Sequence, residues 1–299
     1  MDKYIRFDWA AKRMLRDKAN FGVLEGLMTV LLEEDVKIVE ILEGEGNQNA
    51  EDDKFNRVDI KAKNSKGEII LVEVQQTREL YYLQRVLYGV AKAITEHIKL
   101  GNKYSEVKKV YSINIIYFDL GKGADYLYHG QNQLIGVHTH DQLQINTRDK
   151  DSIKIVSPKD IFPEYYIIRV NEFNTVASTP LEEWISYLKD GTIKDNTTAP
   201  GLAEAKERLQ YLQMSDEERR AYDRHIDNIM VQNDILETKM IEGMEQGRIK
   251  GRAEGRAEGR AEGRAEGRAD VARQLKAMGM ALSDISKATG LQEADIEQL

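Results

Sequence analysis

The 299-residue sequence has no cysteine at all. That excludes disulfides, thiolate metal sites and a cysteine nucleophile. It also has no run of 18 apolar residues, which excludes an apolar helix long enough to cross a membrane. The start, Met1-Asp2-Lys3-Tyr4-Ile5-Arg6-Phe7, lacks the apolar core and small-residue cleavage site of a signal peptide. These absences fit a cytoplasmic protein with no membrane partner. Positive charge is in short supply as well. Lys and Arg number 43 against 51 Asp and Glu, for a net charge of −8, so contact with nucleic acid would need a local basic patch. Hydrophobic residues at 41% and charged residues at 31% describe a globular chain with a polar surplus.

What is present changes character along the chain. Residues 1–175 mix strand and helix patterns, 176–242 read as a polar helical extension, 243–269 as a repeat, and 270–299 as a small three-helix unit. Phe21, Leu24, Leu27, Met28, Leu31 and Leu32 recur at helical spacing and predict a helix over 20–33. Strands are expected at 36–42, 55–63 and 68–76, then a helix over 81–98. Val110–Phe118 is almost continuously apolar, as a central strand is, and 126–128, 134–137 and 165–170 complete the expected strands.

The repeat Arg252-Ala253-Glu254-Gly255 recurs through Gly267, with glycine every fourth residue from Gly243. Each glycine costs a helix about 1 kcal/mol relative to alanine. Like charges fall four residues apart, so the favourable helical pairing of opposite charges is missing. The segment reads as a marginal helix or a flexible spacer. It does not read as an arginine tract for nucleic acid, because a Glu accompanies each Arg.

The chemistry concentrates in residues 55–76. Asn64-Ser65-Lys66-Gly67 suits a three-residue hairpin loop, a type I turn closed by a glycine in the left-handed region. That register sets Asn64 against Glu68, Asp59 against Glu73 and Arg57 against Gln75. With alternating side chains, Val58, Ile60, Ala62, Ile70, Val72 and Val74 share one face. Arg57, Asp59, Lys61, Glu73 and Gln75 share the other. Opposed Cβ atoms lie about 5 Å apart, and like charges there repel. A hard divalent cation such as Mg²⁺ or Mn²⁺ would satisfy two such carboxylates; pairing with Arg57 and Lys61, or plain solvation, is the competing account.

Glu25 interrupts an otherwise apolar helical segment, where an acid is costly unless paired or metal-bound, or else turned to water at the helix edge. In the helix after the hairpin, Gln84 and Tyr88 share a face, and Arg85 offers a bidentate fork suited to phosphate.

Glu25, the run Lys54-Phe55-Asn56-Arg57-Val58-Asp59, the strand Ile70-Leu71-Val72-Glu73-Val74-Gln75 and the helix segment Gln84-Arg85-Val86-Leu87-Tyr88 together resemble the PD-(D/E)XK nuclease superfamily. The closest likeness is to its Rpn branch, the recombination-promoting nucleases and transposases. The resemblance covers residues 1–175 in motif order, and the helical tail looks similar too. It implies an α/β fold, a mixed central sheet flanked by helices in the manner of restriction endonucleases, with an α-helical C-terminal tail. It implies Mg²⁺- or Mn²⁺-dependent hydrolysis of DNA phosphodiesters in recombination or mobile-element transposition. On that likeness Asp59 and Glu73 are the metal ligands, and Glu25 and Gln75 complete the catalytic set; Arg57, Lys61, Gln84, Arg85 and Tyr88 are the candidate substrate contacts. Gln75 stands where most of the superfamily has lysine, and Val58 where it has proline. The neutral amide keeps a second account open, a catalytically degenerate protein that binds DNA or a partner.

Three further features have plain readings. Lys3, Arg6, Lys12, Arg13, Arg16 and Lys18 form the best local basic stretch for backbone contacts, or a solvated face. His138 and His140 would share a strand face, most simply as a surface pair. Ala288-Thr289-Gly290-Leu291 resembles a helix-turn-helix turn, with Ser283 capping the preceding helix. The acidic Glu293, Asp295 and Glu297 favour packing or self-association through the tail over DNA docking.

Overall fold

A computed structural model of the chain describes residues 4–13, 15, 17–42, 58–98, 103–149 and 152–299. The chain divides into two compact units, Met1–His225 and Ile226–Leu299.

The first unit is built on a mixed sheet of six strands: β1 (Ile38–Ile41), β2 (Ile60–Asn64), β3 (Ile69–Gln75), β4 (Val110–Ile116), β5 (Leu127–Gly130) and β8 (Glu164–Arg169). Their order is β1-β2-β3-β4-β8-β5, with helices around the sheet. The β1–β2, β2–β3 and β5–β8 pairs are antiparallel, while β3–β4 and β4–β8 are parallel. The expected mixed α/β architecture is therefore present.

The hairpin forms for the reason read in the sequence. Gly67 lies at φ +80°, in the left-handed region open to glycine. The Asn64 side-chain oxygen accepts from the backbone N–H groups of Lys66 at 3.1 Å and Glu68 at 2.9 Å, which locks the turn. The ladder pairs Ile60 with Val72 and Ala62 with Ile70, the expected register.

Parallel pairing of β3 with β4 requires a crossover, supplied by α3 (Tyr82–Glu96). Ile69 and Leu71 pack with Val90 and Ala93 of α3 and with Val110. By alternation Glu73 and Gln75 lie on that same side, whereas Ile70, Val72 and Val74 are buried on the other. At the start of α3, Tyr82 and Val86 pack on Ile116 and Phe118.

Helices α1 (Phe7–Arg13), α2 (Phe21–Leu32), α4 (Pro180–Asp190) and α5 (Leu202–Arg208) complete the unit. Phe7 meets the edges of Trp184 and Tyr187, and the Tyr187 hydroxyl donates to the Ile5 carbonyl at 2.6 Å. Gly26 lets α2 approach α5, since a Cβ there would lie 2.3 Å from the Pro200 carbonyl oxygen. Asp8 of α1 is fully buried; burial pushes its carboxyl up, but His225 and Arg6 outweigh that and hold it below the usual range. Gln76, just past β3, donates to Asp8 at 2.8 Å and ties the strand end to α1.

Several expected elements differ. The segment 134–137 is no strand, only an isolated bridge between Ile135 and Gln142, and His138 and His140 fall in a turn. His140 has φ +56°, a conformation that no strand supplies. The pairing instead occurs further on, between β6 (Ile145–Asp149) and β7 (Ser152–Val156). That ribbon was illegible because its first strand, Ile145-Asn146-Thr147-Arg148-Asp149, is polar beyond Ile145 and shows no apolar alternation in the sequence. Helix α1 was also unforeseen, since its seven residues are too few to show periodicity.

Helix α6 (Asp216–Ala277) begins in the first unit, and its greater part belongs to the second. The Arg-Ala-Glu-Gly repeat is helical throughout, not a break in the chain. The terminal segment 271–277 is the end of α6 instead of a separate helix. It is followed by α7 (Leu282–Thr289) and α8 (Glu293–Gln298). Ala272, Ile285 and Ile296 form the small core of these three segments. The N-cap of α7 is Ala281, so Ser283 sits inside the helix and caps nothing.

Candidate active site

Where β2 begins at Ile60, β3 runs past it to Gln75, and the sheet leaves polar groups to be satisfied. Extending the Ile60–Val72 register by one step sets Asp59 opposite Glu73. The Asp59 carboxylate accepts from the Val74 backbone N–H at 2.7 Å, taking the place of a ladder carbonyl. Glu73 is 6% exposed, held in the middle of the sheet by parallel pairing with Asn114 of β4.

Glu73 is ion-paired with Arg85, which rises from the first turns of α3. The same guanidinium pairs with Glu79, in the connection between β3 and α3. Gln75 joins them: its amide donates to Glu79 at 3.0 Å and to the Thr77 carbonyl at 3.1 Å. Two motif positions, Glu73 and Gln75, are thus linked through Arg85 and Glu79.

Beneath this cluster, the Tyr82 hydroxyl donates to the Asn114 side-chain oxygen at 3.3 Å. The Asn114 amide donates in turn to the Ser112 hydroxyl at 3.0 Å and the Tyr166 carbonyl at 3.2 Å. Burial, then the negative charge of Glu73, raise the Tyr82 phenol well above its ordinary range, so it stays a neutral donor. Glu79, Tyr82 and Asn114 were not singled out from the sequence. Glu79 precedes the helix, so helical spacing cannot link it to Arg85. Asn114 lies in an apolar strand, where the parallel register alone reveals its neighbour.

The remaining candidates are placed differently. Gln84 and Tyr88 share an exposed face of α3 beside Arg85. Lys61 is 8% exposed and paired with Glu96 at the far end of α3 at 2.5 Å. Its charge is committed there. Glu25 accepts from the Ile38 backbone N–H at 2.8 Å and from Lys37 at 3.3 Å. Ile38 pairs with Asn64. Glu25 therefore lies at the opposite end of β2 from Asp59, about 16 Å away by strand rise. The structure brings Asp59, Glu73, Gln75 and Arg85 together and leaves Glu25 apart. Arg57 and Lys54-Phe55-Asn56 lie outside the described residues. Of the basic N-terminal stretch, Arg6 pairs with Asp8 at 3.2 Å, and Arg13 lies over the Trp9 ring at 4.3 Å. Lys3 and Arg16 lie outside the described residues, and the Lys12 side chain is likewise not described.

Among the described residues, no three His, Asp or Glu side chains gather into a metal-holding group. The donor chemistry of Asp59 and Glu73 nonetheless suits a hard divalent ion, which takes carboxylate oxygens and keeps water in its other positions. The guanidinium on Glu73 shows that this place already attracts positive charge.

Among the described residues, no helix is long and apolar enough to cross a membrane. No curated protein and no solved structure matches the chain. A family description does match it, that of the PD-(D/E)XK nuclease family transposase, over residues 5–238. The match takes in the whole six-stranded sheet together with Asp59, Glu73, Gln75 and Arg85, and the chain belongs to the PD-(D/E)XK nuclease family transposases.

Proposed function

We propose that the protein is a metal-dependent DNA endonuclease that hydrolyses phosphodiester bonds in recombination or mobile-element transposition. The observation that carries this reading is the Asp59 carboxylate accepting from the Val74 backbone N–H at 2.7 Å, next along β3 to the buried Glu73. Asp59 and Glu73 would hold Mg²⁺ or Mn²⁺, which lowers the pKa of water and polarises a phosphoryl oxygen when bound.

The chain's own groups do the rest. The Gln75 amide orients the attacking water, through a donor and an acceptor on one side chain. Arg85 keeps a permanent positive charge beside the phosphate while its guanidinium stays paired with the acids. Tyr82 and Asn114 brace the floor of the site. Gln84 and Tyr88 offer an exposed amide and ring to the nucleic acid alongside. Glu25 anchors α2 to β1, and Lys61 fixes α3 on the hairpin through Glu96. The tail serves self-association. Its terminal unit has a core of its own, and its last helix carries Glu293, Asp295 and Glu297, which disfavour a phosphate surface.

Purified full-length protein is expected to nick supercoiled plasmid with Mg²⁺ or Mn²⁺ and not in EDTA. Asp59→Ala should lose at least about 100-fold of that rate, since a charged group central to the transition state is removed. Equal nicking by both proteins overturns the assignment. The pairing of Glu73 with Arg85 favours a second reading, a degenerate site that binds DNA without cutting it. Calorimetry with Mn²⁺ separates the two: a catalytic site takes up the ion and loses it in Glu73→Ala.

A further inference from the structure

Glu73 is almost wholly buried, and Glu79 about one-third exposed. Arginine cannot give up its proton in a protein, so Arg85 brings a permanent charge to both. Leaving a buried carboxylate unpaired is strongly destabilising. Before any metal arrives, part of the charge compensation on Glu73 therefore comes from α3. A divalent ion on Glu73 and Asp59 would meet that guanidinium as a like charge competing for the same oxygens.

Resting on the nuclease reading above, we propose that Arg85 is an internal counter-ion that holds Glu73 until a divalent cation displaces it. Glu79 is then the positioning residue that receives the displaced guanidinium. The geometry gives the exchange a direction. Arg85 already touches Glu79, so it can transfer fully to that acid without leaving the site. The Gln75 amide donates to the same Glu79 oxygen that Arg85 contacts. Arg85 settling there competes with Gln75 and releases the amide toward the reacting water. Cation arrival and readiness of Gln75 are thereby coupled through one carboxylate.

The test is calorimetric titration of MnCl₂ into the full chain and three variants, with far-UV circular dichroism as the folding control. Arg85→Ala should bind Mn²⁺ about ten-fold more tightly than wild type, the scale of one displaced charge-assisted hydrogen bond. Glu79→Gln should bind it several-fold more weakly, because Arg85 then has Glu73 as its remaining acid of the two. Arg85→Lys keeps a cation but loses the fork, and should fall between wild type and Arg85→Ala; it carries the test should the alanine variant fail to fold. In EDTA, Arg85→Ala should melt below wild type, and saturating Mn²⁺ should close that gap.

Arg85 variants that bind Mn²⁺ equally well or less well than a wild type that binds it would make the ion pair merely structural and overturn the proposal. Tightening in both Arg85→Ala and Glu79→Gln would overturn the role of Glu79. A wild type that binds no Mn²⁺ would remove the nuclease reading along with this one, which distinguishes that failure from the other two.

Discussion

Lys61 and Lys250 are each paired with a glutamate, one under α3 and the other along α6. The first pair, with Glu96, closes to 2.5 Å with the lysine side chain 9% exposed. The second, with Glu254, spans 3.7 Å with both side chains mostly in water. A similar contrast separates Gly26 in α2 from Gly259 in α6. A Cβ on Gly26 would strike the Pro200 carbonyl oxygen at 2.3 Å, whereas one on Gly259 would meet nothing within 4 Å. The same residue types thus carry different obligations. Inside the sheet unit, burial turns each charge and each missing side chain into a constraint on a named neighbour. Along the repeat, charges are solvated and glycines lower helix propensity without admitting another segment.

Substitution at the two glycines gives the widest separation. Gly26→Ala should destabilise the first unit by about 3 kcal/mol, because backbone atoms would have to move apart. Both tryptophans, Trp9 and Trp184, lie in that unit, so urea unfolding followed by tryptophan fluorescence reports on it specifically. An unchanged midpoint would show that α2 and α5 do not approach closely.

The ion pairs provide the next comparison. Glu96→Gln should cost about 2 kcal/mol by the same measurement, since Lys61 is left buried with a weakened partner. The loss falls short of a fully buried pair's because Glu96 is 29% exposed. Glu254→Gln should leave the melting temperature unchanged. Equal effects in the two would mean that burial of Lys61 is not what ties α3 to the hairpin.

This contrast also explains what could be read in advance. The hairpin was legible because its constraints are local: a turn of fixed chemistry sets the register, and the register pairs Ile60 with Val72, one step from Asp59 and Glu73. The central position of β4 was legible from its apolar run. What escaped reading depends on contacts between segments distant in the chain. Glu25 looked like a candidate because an acid in an apolar helix needs a partner, and the sequence does not say that the partner is the Ile38 backbone. Lys61 shares a hairpin face with the acids, yet the pitch of α3 delivers Glu96 to it first. Arg85 reads in the sequence as a candidate phosphate ligand, but its hold on Glu73 and Glu79 emerges only when the crossover helix is laid over β3.

The smallest effect tests the other side of the comparison. Gly259→Ala should stabilise α6 locally by about 1 kcal/mol, the difference in helix propensity between the two residues. The added methyl removes backbone freedom from the unfolded chain and meets no neighbour, so propensity acts without opposition. The gain should appear as stronger helical ellipticity at 222 nm on heating, with no shift in the tryptophan transition of the first unit. A loss of helicity would reveal a close neighbour along the glycine stripe, most simply the same helix of a second copy. Dilution separates the cases. A gain that is independent of concentration fits a solvated helix, whereas a loss that grows as the protein is diluted fits an interface in which the glycines admit a partner backbone.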